Sequence, residues 1–181
     1  MTALLRFAAP IIPPFMKKQQ VKRLLRLTAE SFGTSAPSLR GLSFDESMRV
    51  FATFTSEEAE KAIRTGKDMS IIHDRLYHGA LALGSQCRRW FRISDGDDVM
   101  TAARLLYAFC GIDFQGSKDG GVTVSSCFFS GYYSGAVCRV ISSLDAGLLA
   151  GLSGGRQLSF SARITEGAPA CIGFLAERES L

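Results

Sequence analysis

The residues best suited to chemistry in this chain are cysteines in its last third. Five cysteines occur, at positions 87, 110, 127, 138 and 171. Their number is odd and no two are spaced as CxxC, so the pattern predicts neither a zinc ribbon nor a disulfide scaffold. The default for each is a buried, reduced thiol that packs as a small hydrophobic group. Cys127, Cys138 and Cys171 nevertheless fall in one compact segment, and we expect the functional site there.

Two other groups of polar residues are weaker candidates for chemistry. His73 and His78 lie five residues apart on a predicted helix, so they point about 140° apart and cannot hold one metal ion between them. The segment SDGDD at 94–98 lacks the ligand spacing of a calcium loop. Its negative charges are typical of a helix start. We therefore predict no metal and no cofactor.

The cysteine-bearing segment shows the alternation and turn signals of a β-β-α-β-β unit. Asp119-Gly120 marks a tight hairpin, and Gly154-Gly155 ends the helix. The sequence predicts an antiparallel sheet backed by helices, which places the chain in the α+β class. The expected elements are strands 112–115 and 122–129, helix 134–152, and strands 158–164 and 171–175.

The first two thirds of the chain are predicted to be helical. Apolar residues recur at helical spacing, with a stop at Gly33 and a cap at Ser43. Thr55 and Glu58 suggest a capping box that would restart a helix. We expect a basic N-terminal extension over 1–42 and one α+β domain over 43–181. The expected helices are 17–32, 43–54, 55–63, 68–90 and 95–110.

Positive charge is concentrated near the N-terminus. The net charge is +4, and helix 17–32 carries Lys17, Lys18, Lys22, Arg23 and Arg26. This face is either solvated, or a site for an acidic partner or an anionic membrane surface. It does not indicate a nucleic-acid-binding protein. The apolar start is broken by an arginine and prolines, and no stretch approaches the roughly 18 apolar residues of a membrane span; we expect a soluble, cytoplasmic protein.

Helix 134–152 has a smooth side made of Ala146, Gly147, Ala150 and Gly151. Such small residues permit close approach to a sheet or to another helix, and they make a homodimer plausible. The glycine-rich segment ends this helix instead of opening it, so it does not predict a phosphate loop.

The segment from Cys138 through Asp145 to Gly167, Cys171 and Phe174 resembles the 4-vinyl reductase type of small-molecule-binding domain. It is equally similar to the 2-aminothiazoline-4-carboxylate hydrolase family, in which a strand cysteine, a helix cysteine and a terminal Gly-x-x-x-Cys follow in this order. The resemblance covers about 50 residues. It implies a TRAPP-like fold, with an antiparallel sheet and helices around an apolar pocket.

The metal-binding relatives implied by this resemblance differ from the present chain. Cys138 and Cys171 match their outer cysteines, but the inner cysteine falls near Arg163 and the acidic ligand near Phe160. A zinc site needs four ligands, or three and a water molecule. Two thiols with an arginine in place of the third do not supply them, so we expect no zinc.

Two functions of a small-molecule site remain open, beside a structural or partner-binding role. A hydrolase that opens a cyclic C–N/C–S substrate needs a nucleophile and proton-transferring groups. Cys127 or Cys138 would be the nucleophile, activated by the helix start near Ser134. The other expected roles are proton transfer by Glu166 or Asp145, a substrate carboxylate bound by Arg163, hydrogen bonds from Tyr132 and Tyr133, and ligand contact by Cys171.

The preferred prediction is a non-catalytic sensor or carrier of a small molecule. Its pocket is expected to be apolar and lined by Phe128, Phe129, Phe160 and Leu148. Whether the protein is an enzyme stays undecided at this point. The two functions differ in the reactivity of the thiols, since only the hydrolase needs an activated cysteine.

Overall fold

The structure is a computed structural model that describes residues 14–177. Within these residues the chain forms five helices and a four-stranded antiparallel sheet, which confirms the predicted α+β class. The helices are α1 Pro14–Phe32, α2 Phe44–Arg64, α3 Met69–Phe91, α4 Gly96–Phe109 and α5 Gly135–Ser153. The strands are β1 Ile112–Gly116, β2 Gly121–Cys127, β3 Gln157–Ala162 and β4 Cys171–Ala176.

The sheet has the strand order β1-β2-β4-β3, so the two hairpin-like halves meet along β2 and β4. The β1–β2 hairpin places Ile112 opposite Cys127, and β2 pairs with β4 so that Val124 faces Cys171. One face of the sheet carries buried side chains such as Phe114 and Leu175 and packs on the helices. The other face leaves β4 residues open to solvent.

Helices α3 and α5 approach each other unusually closely because glycines line their contact. A Cβ atom on Gly147 would lie 2.1 Å from the Tyr77 carbonyl oxygen, and one on Gly151 would lie 2.3 Å from the Leu81 carbonyl oxygen. On α3, a Cβ atom on Gly84 would lie 2.2 Å from a carbonyl oxygen of α5. The smooth side of α5 is therefore used within the chain, and it is not free to contact a second copy.

The first helix belongs to the same hydrophobic core as the rest of the fold. Val21 and Leu25 are almost fully buried, and they join the cluster that contains residues of α2, α3 and the sheet. Thr28, also buried, donates its hydroxyl hydrogen bond to the Leu24 carbonyl oxygen at 2.8 Å. This satisfies a polar group that would otherwise be costly in the core.

Three local expectations were wrong at element ends. Helix α2 runs without a break through Thr55, which does not cap a helix: its hydroxyl donates to the Phe51 carbonyl oxygen at 2.9 Å. Strand β2 ends at Cys127, and a 3-10 turn, Phe128–Gly131, follows. Strand β3 ends at Ala162, before another 3-10 turn.

Among the described residues, α5 alone is long and apolar enough, by length and composition, to cross a membrane. Leu149 and Leu152 of this helix are fully buried in the folded unit. A core helix of this kind is compatible with a chain that has no membrane span.

Candidate functional site

Asp145 lies at the centre of the polar groups inside the C-terminal unit. It projects from the middle of α5, and the Tyr107 hydroxyl donates a hydrogen bond to its Oδ1 at 2.9 Å. Tyr107 is buried and stacks on Phe114 of β1, with ring centroids 4.8 Å apart. Burial raises the pKa of Asp145 to about 6, although the Tyr107 hydrogen bond and the Arg163 charge oppose that rise.

Three thiols lie near enough to this carboxyl for its charge to act on them. Cys110 follows α4, Cys127 ends β2, and Cys138 lies in the first turns of α5. Burial raises the pKa of Cys110 to about 12 and that of Cys127 to about 11, and a charged Asp145 raises both further. Burial also raises the pKa of Cys138, and the charge of Arg163 only partly opposes this. At neutral pH these three groups are protonated thiols.

Burial acts against the expected activation of the Cys138 thiol by the start of α5. Ser134 caps this helix, and its hydroxyl oxygen accepts from the Val137 amide at 3.3 Å. The Cys138 amide donates to the Ser134 carbonyl oxygen, inside the helical pattern. Cys138 is the fourth residue of α5, and burial is the largest influence on its thiol, so its pKa lies above the ordinary value.

Cys171 begins β4 on the Cys138 side of the cluster. Its Sγ accepts a hydrogen bond from the Ile164 amide at 3.3 Å, and its charge would raise the pKa of Cys138. The neighbouring Thr165 hydroxyl lowers that pKa. Thr165 Oγ1 is buried, and within residues 14–177 it has no hydrogen bond of ordinary geometry. The structure thus brings all three predicted cysteines toward the same part of the fold.

Arg163 and Glu166 lie together at the rim of this cluster. The Arg163 guanidinium lies 4.8 Å from the Phe160 ring centroid and donates to the Ser142 hydroxyl at 3.4 Å. The Glu166 carboxylate accepts from Arg139 Nε at 2.7 Å and lies 3.9 Å from Arg163 Nε. Both arginines contact Oε1 of Glu166, so this carboxylate lies in a basic environment at the rim of the cluster.

The two tyrosines before α5 connect the C-terminal unit to α2. The Tyr133 side chain is buried, and its hydroxyl is hydrogen-bonded to the Thr55 hydroxyl. The Tyr132 carbonyl oxygen accepts from the Ser56 hydroxyl at 3.0 Å. Burial raises the pKa of Tyr133 above its ordinary value. The Tyr133 hydroxyl thus has a structural partner in this state.

A separate cavity of about 480 Å³ opens at the far end of α5. It lies between the end of α3, the start of α4 and the turn after α5, about 22 Å along the helix from Cys138 at 1.5 Å per residue. Polar groups dominate its lining. The lining residues are Arg88, Ser94, Asp95, Gly96, Val99, Ser153, Gly154, Gly155, Arg156 and Glu177.

The two arginines of this cavity each contact a group near its edge: Arg88 contacts the end of α5, and Arg156 contacts Glu177. Arg88 Nη1 donates to the Leu152 carbonyl oxygen at 2.8 Å. Arg156 Nη2 lies 2.9 Å from the Glu177 carboxylate, whose side chain is 82% exposed. Because such an exposed pair contributes little free energy, a bound anion could replace Glu177 at Arg156.

A second, shallower cavity of about 320 Å³ lies against β1 and includes Arg104 and Asp113 in its lining. Phe128, Phe129, Phe160 and Leu148 line neither of the two cavities. Within residues 14–177, no group of three or more His, Cys, Asp or Glu side chains is arranged to hold a metal ion.

The sequence interpretation overlooked Tyr107 and Cys110. Both lie at the end of α4, just before β1. The predicted β1–β2 hairpin could have indicated Cys110, because the pairing of these strands sets Ile112 opposite Cys127 and so brings the nearby Cys110 close to Cys127.

Comparison of the chain with protein-family models, with curated proteins and with solved structures finds no match.

Proposed function

We propose that this protein is a small-molecule-binding domain, sensor- or carrier-like, and that its ligand is a small anion held in the 480 Å³ cavity. The observation that carries the proposal is this cavity with its two arginines. Its volume lies in the range of small-molecule sites, about 300 to 1,000 Å³. Its polar lining favours a charged ligand over the apolar one that the sequence suggested.

The site's charges support a carboxylate or phosphate group at Arg156. That side chain lies in the turn after α5, where the amide of Arg156 donates to the Ser153 hydroxyl at 3.1 Å. Asp95, the other carboxylate of the lining, caps α4 by accepting from the Asp98 amide at 2.9 Å, and within the described residues it forms no ion pair with Arg156. A planar guanidinium beside a cavity is suited to bidentate binding of an oxyanion.

Binding is tested with inorganic phosphate, pyrophosphate and citrate as probes. Because a ligand that binds only the folded state raises its stability, we expect at least one probe to raise the unfolding midpoint in a concentration-dependent way. Arg156→Gln should abolish this shift, while Arg104→Gln, an arginine in the other cavity, should retain it. A shift that is unchanged in Arg156→Gln, or absent with all three probes, contradicts the proposal.

The second candidate function is a hydrolase like the 2-aminothiazoline-4-carboxylate hydrolases. Asp145 supports it, since a pKa near 6 suits a group that transfers protons at neutral pH. The raised pKa values of Cys110, Cys127 and Cys138 argue against a thiolate nucleophile. We therefore rank it below the binding function.

The resemblance to the 4-vinyl reductase type of domain, with its TRAPP-like fold, remains part of this proposal. An antiparallel sheet backed by helices on one face supports it. A cytoplasmic location is supported by five cysteines that are all free.

A homodimer would be formed through the apolar surface of β4. Ile172 and Phe174 of this strand are 44% and 48% exposed.

A further inference from the structure

Helices α1 and α3 lie side by side and run in opposite directions. The Leu27 side chain covers Gly79, where a Cβ atom would lie 2.8 Å from Leu27 Cδ1. One turn earlier on α1 and two turns later on α3, Arg23 Nη2 donates to Gln86 Oε1 at 2.8 Å. The two helices are therefore antiparallel, and the start of α1 lies beside the end of α3.

Basic residues gather at this shared end. Lys22 and Arg26, one turn apart on α1, are exposed, and so is Arg89 near the end of α3. None of the ion pairs formed within residues 14–177 uses these three side chains. Together with Arg23 and Trp90 they form what we call the α1–α3 basic face.

Trp90 is the feature that distinguishes this face from an ordinary solvated surface. It is the single tryptophan of the chain, and 65% of its surface is exposed. Trp90 lies one turn beyond Gln86 on the same side of α3, because residues four apart share a helix face. The indole is thus placed beyond the Arg23–Gln86 contact, at the end of the basic face.

The acidic residues of α1 and α3 lie toward the other end of this face. Glu30 follows Arg26 by one turn on α1, and Asp74 precedes Gly79 on α3. Within these two helices, the end that holds Trp90 therefore carries only basic side chains, and the nearest acidic residues in sequence, Asp95 and Asp97, belong to the start of α4. A surface of this kind attracts a partner with dense negative charge.

We propose that the α1–α3 basic face binds the surface of an anionic lipid membrane, with Trp90 inserted at the level of the headgroups. Lysine and arginine near an anionic leaflet each add to the binding free energy. Tryptophan is enriched at membrane–water interfaces, where its ring is apolar and its N–H is solvated. Single-stranded nucleic acid is less well matched, since it needs successive aromatic rings for stacking and this face has one.

The single tryptophan provides a direct measurement on the full-length chain. Vesicles of phosphatidylcholine with phosphatidylserine should shift the Trp90 emission to shorter wavelength and protect it from iodide. Vesicles of phosphatidylcholine alone should do neither. Added salt should reverse the shift, because screening weakens attraction between exposed charges.

Variants separate this face from general basicity. The triple variant Lys22→Glu, Arg26→Glu and Arg89→Glu should reduce co-sedimentation with the phosphatidylserine vesicles by about a hundredfold or more. Trp90→Ala should reduce it several-fold at unchanged charge. The matched control is the triple variant Lys61→Glu, Arg64→Glu and Lys118→Glu, three exposed residues elsewhere, with the unfolding midpoint measured for every variant.

Four outcomes would overturn the proposal. They are equal binding to both kinds of vesicle, equal loss in the two triple variants, an unshifted Trp90 emission, and a duplex or single-stranded oligonucleotide that alters Trp90 emission where the vesicles do not. The last outcome would assign the face to nucleic acid instead. Loss of binding in a variant whose unfolding midpoint is unchanged supports the membrane surface.

Discussion

Asp145 carries its carboxyl into an enclosure formed by Tyr107, Cys110, Cys127 and Cys138. The loss of hydration destabilises the carboxylate by more than the Tyr107 hydrogen bond and the Arg163 charge stabilise it, so the protonated form is favoured. The same enclosure keeps the thiols protonated. One physical cause, burial, therefore makes Asp145 a group that titrates near neutral pH and makes the cysteines poor nucleophiles.

Replacement of Asp145 by Asn should change how stability depends on pH. The folded-state pKa, about 6, exceeds the ordinary value of 3.8. The native state therefore binds the proton more tightly, and the stability gained from it is complete below about pH 4 and lost as pH rises through 6. Asn is neutral at every pH and can still accept from Tyr107. The difference in unfolding free energy, Asn minus Asp, should grow by on the order of 2 kcal/mol between pH 4 and pH 8.

Urea unfolding of both proteins at the two pH values measures this difference. The other titrating groups are common to the two proteins, so their contributions cancel when the difference is taken. An Asn variant whose stability differs from the parent by the same amount at pH 4 and pH 8 would show that Asp145 does not titrate between them.

The thiols should react slowly in the folded protein. At pH 7.5 a thiol of pKa near 11 is ionised roughly a hundred times less than an ordinary one, and a thiol of pKa near 12 roughly a thousand times less. We expect iodoacetamide to modify Cys110 and Cys127 at least about a hundredfold more slowly in the native protein than in urea, measured for each residue by mass spectrometry. Fast native labelling of either would favour the hydrolase.

At the scale of elements, the contact between α3 and α5 depends on the absence of side chains. Gly84, Gly147 and Gly151 each lie closer to a backbone oxygen of the other helix than a Cβ atom permits. Backbone atoms cannot move aside as a flexible side chain can. A methyl group at these positions forces the helices apart and loosens the packing of neighbouring core residues.

Gly151→Ala should lower the free energy of unfolding by about 2 to 3 kcal/mol or more, although alanine is the better helix former. The matched control is Gly131→Ala, because a Cβ atom there meets nothing within 4 Å. Urea unfolding should show less than about 1 kcal/mol for the control. Equal effects of the two substitutions would mean that the close approach of α3 and α5 does not limit stability.

Most elements could be predicted from the sequence, because turns and helix caps are local signals. The Asp119-Gly120 hairpin and the Ser43 cap both act over a few residues, and both are present. The interruption predicted at Thr55 was wrong since a tertiary contact decides that residue's role: its hydroxyl meets Tyr133, 78 residues away. The contact of the α5 glycines with α3 and the polar cavity could not be predicted either, because both depend on packing between residues that are far apart in the sequence.

At the scale of the whole molecule, α1 is part of the core rather than an appendage. Val21, Leu25 and Phe32 are 0%, 1% and 3% exposed. Two basic side chains add to this attachment, since Lys18 Nζ donates to the Leu42 carbonyl oxygen and Lys67 Nζ to the Phe32 carbonyl oxygen. The sequence placed a boundary at residue 42, yet the apolar contacts continue across it.

A chain limited to residues 43–181 should therefore not fold as a stable unit. Removal of α1 exposes the surfaces of α2 and α3 that Val21 and Leu25 cover, and surface of this kind is costly in water. We expect the fragment to bind a hydrophobic dye and to lose the cooperative unfolding of the full chain. The full-length variant Leu25→Ala is the graded comparison, with an expected loss of about 2 to 5 kcal/mol. A fragment that unfolds cooperatively near the midpoint of the full chain would instead establish 43–181 as an independent domain, and the first helix as an extension docked on a complete core.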